Sequence, residues 1–220
     1  RLARVFAQGL DAVAGHVLPV ARGAANGRWQ SGPWFLRSER CYLIPGDSPI
    51  GYRLPLDSQP WVAETDYPYV ATPDPTRIVP PLRAYAEIRH RLDERALAAA
   101  RDGGPPAGGA TFEHWPQSKE SAAWITRTAM SAQARNGVLY LFMPPTQELD
   151  DYVELAAAVE AAAAELGAPV ILEGYEPPRD PRLAKFSVTP DPGVIEVNIQ
   201  PCADWDELVE RTTHLYEAAR

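Results

Sequence analysis

Residues 138–174 read VLYLFMPPTQELDDYVELAAAVEAAAAELGAPVILEG, and this stretch decides the fold. Val138 to Met143 is a short apolar run of strand length that ends at Pro144-Pro145. A helix is predicted from Gln147 to Leu166. Thr146 stands where a cap belongs, Glu148, Asp150 and Asp151 suit the positive end, and Gly167 is placed to stop the helix. Tyr152, Leu155, Val159, Ala163 and Leu166 recur at helical spacing as a buried stripe, and the alanines between them let the helix lie close to a sheet. Pro169-Val170-Ile171-Leu172 then reads as a second buried strand. Strand, helix and strand in this order make a crossover unit with adjacent parallel strands.

Outward from this unit the pattern changes to hairpins. A strand from Ala123 to Met130 is expected upstream, joined through Ala134-Arg135-Asn136-Gly137 to the run at Val138, because Asn-Gly between apolar runs is a strong hairpin signal. Between Trp29 and Trp61 a further hairpin is expected, with Trp34-Phe35-Leu36 and Cys41-Tyr42-Leu43-Ile44 as strands and Ser38-Glu39-Arg40 as the turn. The chain opens inside an amphipathic pattern of Leu2, Val5, Phe6 and Leu10. Residues 67–117 read as a Pro/Gly-rich insertion carrying a helix from about Leu82 to Arg101, and the run from Asp102 to Gly109 can hold no regular structure. Downstream, Asp204 and Glu207 form a capping pair for a last helix whose inward stripe is Trp205, Leu208, Val209, Thr212 and Tyr216. The sum is one α+β domain over residues 1–220. Its sheet is mostly antiparallel, with helices packed on one face and one strand-helix-strand crossover.

Composition narrows the function. With 220 residues and 45% hydrophobic content the chain can bury a core. Its 29 acidic against 21 basic residues give a net charge of -8, which argues against broad capture of nucleic acid or anionic lipid. Cys41 and Cys202 are too few for a disulfide framework, and no signal-peptide pattern or membrane-length apolar run is present, so a cytoplasmic setting fits. The absence of an initiator Met and the helical pattern at both ends read as a segment of a longer polypeptide.

The candidate chemistry lies on two strands. In Asp191-Pro192-Gly193-Val194-Ile195-Glu196-Val197-Asn198-Ile199, Ile195, Val197 and Ile199 point one way while Glu196, Asn198 and Gln200 point the other. A carboxylate and an amide oxygen two residues apart can share one Mg²⁺, which prefers oxygen ligands and keeps waters and substrate phosphates. A half-exposed strand with a wet face shows the same alternation, so the pattern alone leaves both readings open. Glu173 ends the buried strand, where open sheets place ligands, and Glu176, Arg179, Asp180 and Arg182 follow. Carboxylates would hold a metal and arginines a phosphate, although a surface loop with internal salt bridges has the same composition. His16, His90, His114 and His214 are scattered without zinc-ligand spacing and read as surface residues. Cys41 reads as core, no phosphate-binding glycine loop occurs, and Asp57-Ser58 and Ser121 have no histidine that sequence can place nearby.

The run from LFMPPTQELDDY to VIEVNIQPCADWDELV resembles an uncharacterised bacterial family of amidoligases, whose long chains often carry a transglutaminase-like domain; SGPWFLR and IPGDSPIGYRLPLDSQPW fit it too. The resemblance implies a relative of the glutamine-synthetase-type carboxylate-amine ligases, with a glutamine-synthetase-like catalytic domain. It implies ATP and Mg²⁺ (or Mn²⁺) as cofactors, and carboxylate and amine substrates, small molecules or peptides, joined through an acyl-phosphate. By position, Glu196 would hold the metal with Glu173 as a second ligand, Asn198 would assist or contact phosphates, and Arg127 and Arg179 would contact phosphate or acyl-phosphate. Position 200 is Gln where much of the family is expected to have His. The histidine-bounded, glycine-rich segment expected downstream in the family is not in this sequence. A non-catalytic scaffold or interaction module beside the transglutaminase-like domain is the alternative, and amide hydrolysis at the same metal site is a third reading.

Overall fold

Asn136 and Gly137 have φ of 52° and 80°, the left-handed backbone that a two-residue hairpin needs at both central positions. They join strands Ala129–Arg135 and Val138–Met143, and their register runs from Arg135 opposite Val138 to Ser131 opposite Phe142. The computed structural model describes residues 13, 15–23, 27, 29–36, 41, 43–45, 52–67, 74, 76–101 and 115–219. They fall into two compact units, Arg1–Pro178 and Arg179–Arg220.

In chain order the first unit holds β1 (His16–Pro19), β2 (Ala21–Arg22), β3 (Trp29–Gln30), β4 (Ile44–Pro45), β5 (Tyr52–Arg53), α1 (Tyr85–Arg101), β6 (Ala129–Arg135), β7 (Val138–Met143), α2 (Leu149–Leu166) and β8 (Val170–Gly174). Strands β1, β6, β7 and β8 form one sheet in that order. The first two pairings are antiparallel and β7–β8 is parallel, as the helix between β7 and β8 requires. The architecture is α+β. One row across the sheet, Val17, Ser131, Phe142 and Glu173, has its side chains on one face.

Buried apolar residues of this unit include Met143, Leu149, Leu155, Ala157 and Val159. Gly167 ends α2 in the left-handed conformation, and its N–H bonds back to the carbonyls of Ala163 and Ala164. The start of α2 differs from expectation: Glu148, not Thr146, is the cap residue, and it makes no side-chain cap bond. The Thr146 hydroxyl is buried without a hydrogen-bond partner among the described residues. The stripe also ends early, since Leu166 is exposed. In place of that last apolar position α2 buries Glu154. Its carboxylate receives Arg95 Nη1 of α1 at 2.5 Å and Arg22 Nη1 of β2 at 3.2 Å. Tyr85 Oη donates to Glu160 at 2.7 Å, a second link between α1 and α2.

Three other expectations shift. The strand expected at Ala123 to Met130 lies at Ala129–Arg135, because a two-residue turn leaves Arg135 directly opposite Val138 and the ladder extends backward from there. Trp34, Phe35 and Leu36 form no strand. Their polar groups are satisfied elsewhere: Trp34 Nε1 donates to the Thr126 carbonyl at 2.7 Å, and Phe35 N–H donates to Gln59 Oε1 at 3.2 Å. The Phe35 ring meets Trp115 and Trp124 edge-on. The short ladders are instead β2 with β3 and β4 with β5, and Cys41 is exposed rather than core. Residues 1–12 and 102–114, where a first helix and the glycine-rich run were expected, lie outside the described residues, as does the turn at 38–40.

The second unit is a hairpin of β9 (Ser187–Asp191) and β10 (Val194–Asn198) followed by α3 (Trp205–Ala218). Pro192-Gly193 makes the turn, with Gly193 at φ 80°, as a type II turn requires at its third position. Asp204 caps α3 by accepting from Glu207 N–H at 2.8 Å, while Glu207 accepts from Ala203 N–H at 2.7 Å. The expected inward stripe is not buried: Trp205, Leu208, Val209 and Tyr216 are all exposed, and α3 has no buried residue.

Candidate functional site

Arg127 stands just ahead of β6, in a segment pinned from three sides. Thr128 Oγ1 donates to the Val20 carbonyl at 2.5 Å and the Thr128 carbonyl accepts from Val20 N–H at 2.9 Å. Trp34 holds the Thr126 carbonyl, and the Arg127 guanidinium donates through Nη2 to the carbonyl of Pro60. The Arg127 Nε is buried with no hydrogen-bond partner among the described residues. Alternation puts Arg127, Ala129 and Ser131 on one side of this segment, and all three line a cavity of about 350 Å³.

His16 and Val17 of β1, Phe142 of β7, Arg53 of β5 and the following Leu54 and Leu56 complete most of its wall. Tyr175 also lines it, its ring edge-on to Phe142 at 6.2 Å. Gly174 precedes Tyr175 at the end of β8. It has φ 93°, and a Cβ there would come within 2.8 Å of Met143 backbone atoms and of the Phe142 ring. The described lining includes the guanidinium groups of Arg53 and Arg127 and no carboxylate, in a chain of net charge -8. Such a wall favours an anion with an apolar body.

Glu173 shares the sheet row of Ser131 and Phe142 but does not line the cavity. Its carboxylate Oε2 accepts from Arg135 Nη2 at 2.5 Å, and the Glu173 side chain is 17% exposed. Arg135 in turn stacks over Tyr140, 3.6 Å from the ring centroid. The half-buried carboxylate therefore has the cationic partner that its environment demands.

In the second unit, Glu196 and Asn198 stand together on one face of β10, as alternation predicts, with Asn198 Nδ2 donating to Glu196 Oε1 at 2.6 Å. Both are exposed. Gln200 turns its amide to the Leu183 carbonyl at 3.2 Å. Arg179 is exposed, while the neighbouring Arg182 and Asp180 form a forked pair at 2.7 and 2.8 Å. That half of the charged loop is thus the internal salt bridge that its composition allowed. Among the described residues no three His, Cys, Asp or Glu side chains gather in a metal-holding group.

The sequence profile of the family described as "Putative amidoligase enzyme (DUF2126)" matches residues 1–220. The chain belongs to this amidoligase family. No curated protein and no solved structure matches it. No described helix is long and apolar enough to cross a membrane.

For an amidoligase-family chain, the structure pairs Glu196 with Asn198, sets Glu173 against Arg135, and gives Arg127 a cavity wall. Sequence reasoning missed Arg53, Tyr175 and Arg135 as parts of these surroundings, while His16 is exposed as it expected. Arg135 carried a signal: it is the last residue before an Asn-Gly hairpin turn, on the same face as Gln133 and Ser131. The cavity carried none, because its walls come from segments scattered between residues 15 and 175.

Proposed function

We propose that this amidoligase-family chain works in an ATP- and Mg²⁺-dependent carboxylate-amine ligase that forms an amide or peptide bond through an acyl-phosphate. The observation that carries this reading is the side-by-side placement of Glu196 and Asn198 on one open strand face. The donor set fits Mg²⁺: a carboxylate and an amide, with water or phosphate left to fill the remaining positions. A turn of the Asn198 amide about its terminal bond presents Oδ1 in place of Nδ2. Bound there, Mg²⁺ would neutralise phosphate charge during transfer.

In the reaction, a carboxylate oxygen attacks the terminal phosphorus and ADP leaves. The amine then attacks the acyl carbon, phosphate departs, and the nitrogen loses a proton. The chain's own residues supply binding and charge. Glu196 and Asn198 offer oxygens to the metal, Arg127 offers a guanidinium to an anionic group, and Arg179, exposed in its loop, is free to reach phosphate. Glu173 is the second acidic side chain of this reading, with its charge balanced by Arg135.

Oxygen transfer tests the acyl-phosphate step. With Mg²⁺, ATP, an amine mixture and ¹⁸O-labelled carboxylic acids, one labelled oxygen is expected in the released phosphate. Phosphate release that never carries the label would rule the step out, and absence of any release across broad acid and amine panels would favour the scaffold reading.

A further inference from the structure

We infer that the cavity between β1, β6, β7 and the segment after β5 is a binding site for a compact monocarboxylate with an apolar or aromatic body. The inference deepens the ligase reading by giving its acid substrate a chemical class, and it rests on that reading only for the word substrate.

Three observations point to this ligand. The first is charge. Arg53 and Arg127 lie on a wall with no carboxylate among the described residues, and a guanidinium is the side chain best matched to a carboxylate fork. Arg127 is fixed at this wall, with Nη2 bonded to the Pro60 carbonyl.

The second is the apolar surface opposite. Val17, Leu54, Leu56, Phe142 and Tyr175 line the same space, and Phe142 and Tyr175 stand edge-to-face. Such a surface stabilises an aliphatic or aromatic body and offers little to a triphosphate. The third is size. A volume of about 350 Å³ is at the small end of ligand pockets, which suits a ring with a short acid tail better than a nucleotide.

The two surfaces together set the specificity. The arginines select the anion, the aromatic pair selects the body, and an uncharged amide of the same shape keeps only the second contribution. Ser131, buried in the cavity wall with 5% exposure, is the position at which a larger side chain fills the space without touching the charge.

The test is a ligand-observed NMR titration of the protein, without ATP or Mg²⁺, using phenylacetate, phenylacetamide and inorganic phosphate. Phenylacetate is expected to bind saturably and about tenfold more tightly than phenylacetamide, the factor expected for a charge-assisted pair. Arg127→Leu should remove that preference, and Ser131→Leu should weaken acid and amide alike. Equal binding of acid and amide to the wild-type protein would overturn the inference even if the variants do not fold, as would displacement of phenylacetate by phosphate at equal concentration. The outcomes separate from those of the ligase reading. Acid-selective binding without labelled phosphate would remove the ligase and keep the site, whereas labelled phosphate without acid-selective binding would do the reverse.

Discussion

Gly174→Ala is expected to destabilise the protein by about 3–4 kcal/mol and to lower its melting temperature by roughly 10 °C. Gly174 ends β8 at φ 93°, outside the range that residues with a Cβ adopt readily. Left-handed backbone costs such a residue about 1–2 kcal/mol. The added methyl would also lie 2.7 Å from Met143 N and 2.8 Å from Met143 O and Phe142 Cδ1. Backbone of a paired strand cannot move aside cheaply, so the clash adds an overpacking cost of about 1–3 kcal/mol. The substitution would also disturb Phe142 and Tyr175, which line the cavity, so acid binding should fall with stability. Thermal unfolding followed by circular dichroism checks the first effect. A melting temperature within about 2 °C of wild type would mean that the turn after β8 is not under this constraint.

Glu154→Gln is the second large effect, with an expected loss of about 2–3 kcal/mol at neutral pH. The Glu154 side chain is only 9% exposed and serves Arg95 at 2.5 Å and Arg22 at 3.2 Å. Removing one partner of a buried ion pair costs about 3–5 kcal/mol. The smaller figure applies because the Arg95 and Arg22 side chains are 49% and 25% exposed, and because Asp151 still holds Arg22 at 3.0 Å. The loss should depend on pH. Burial pushes the Glu154 carboxyl up, but hydrogen bonds and charge from Arg95 and Arg22 outweigh it and hold the group below its ordinary value. A depressed carboxyl lends full stability above its unfolded pKa, about 4.3, and loses it as the pH falls through the lower folded value. Urea unfolding should therefore show a constant gap between wild type and variant above about pH 5 and a shrinking gap below it. Asp151 runs the other way. Burial raises it, against Arg22 and with Glu154, Glu148 and Asp150, so its share of stability is present at low pH and fades as the pH rises. A gap that does not change with pH would show that Glu154 acts by shape and not by charge.

The parts of this fold that the sequence made legible are those whose signal is local. Asn136-Gly137 specified a left-handed two-residue turn, Gly167 a helix stop, and Asp204 with Glu207 a helix start; each is satisfied by atoms within a few residues. The pairing of β7 with β8 followed from the length of the helix between them. Illegible features depend on partners far along the chain. Glu154 lies inside an alanine-rich helix where charge reads as solvent-facing, and its partners are 59 and 132 residues away. Trp124 and Ile125 have strand-like composition, yet Trp124 meets Phe35 and Ile125 is buried in a turn. For the candidate site the pattern was similar. Alternation sufficed to put Glu196 beside Asn198, whereas the cavity around Arg127 needed β1 and β5 to be placed first. The apolar stripe of α3 was visible as a pattern, but periodicity does not say whether a stripe is covered.

The metal role proposed for Glu196 is open to a direct test. A Mn²⁺ titration followed by EPR, with and without ATP, should compare the protein with its Glu196→Gln variant. We predict saturable Mn²⁺ binding that ATP strengthens in the wild type, and its loss in the variant with the circular dichroism spectrum unchanged. Equal Mn²⁺ binding by the two proteins in the presence of ATP would contradict the assignment of the metal to β10.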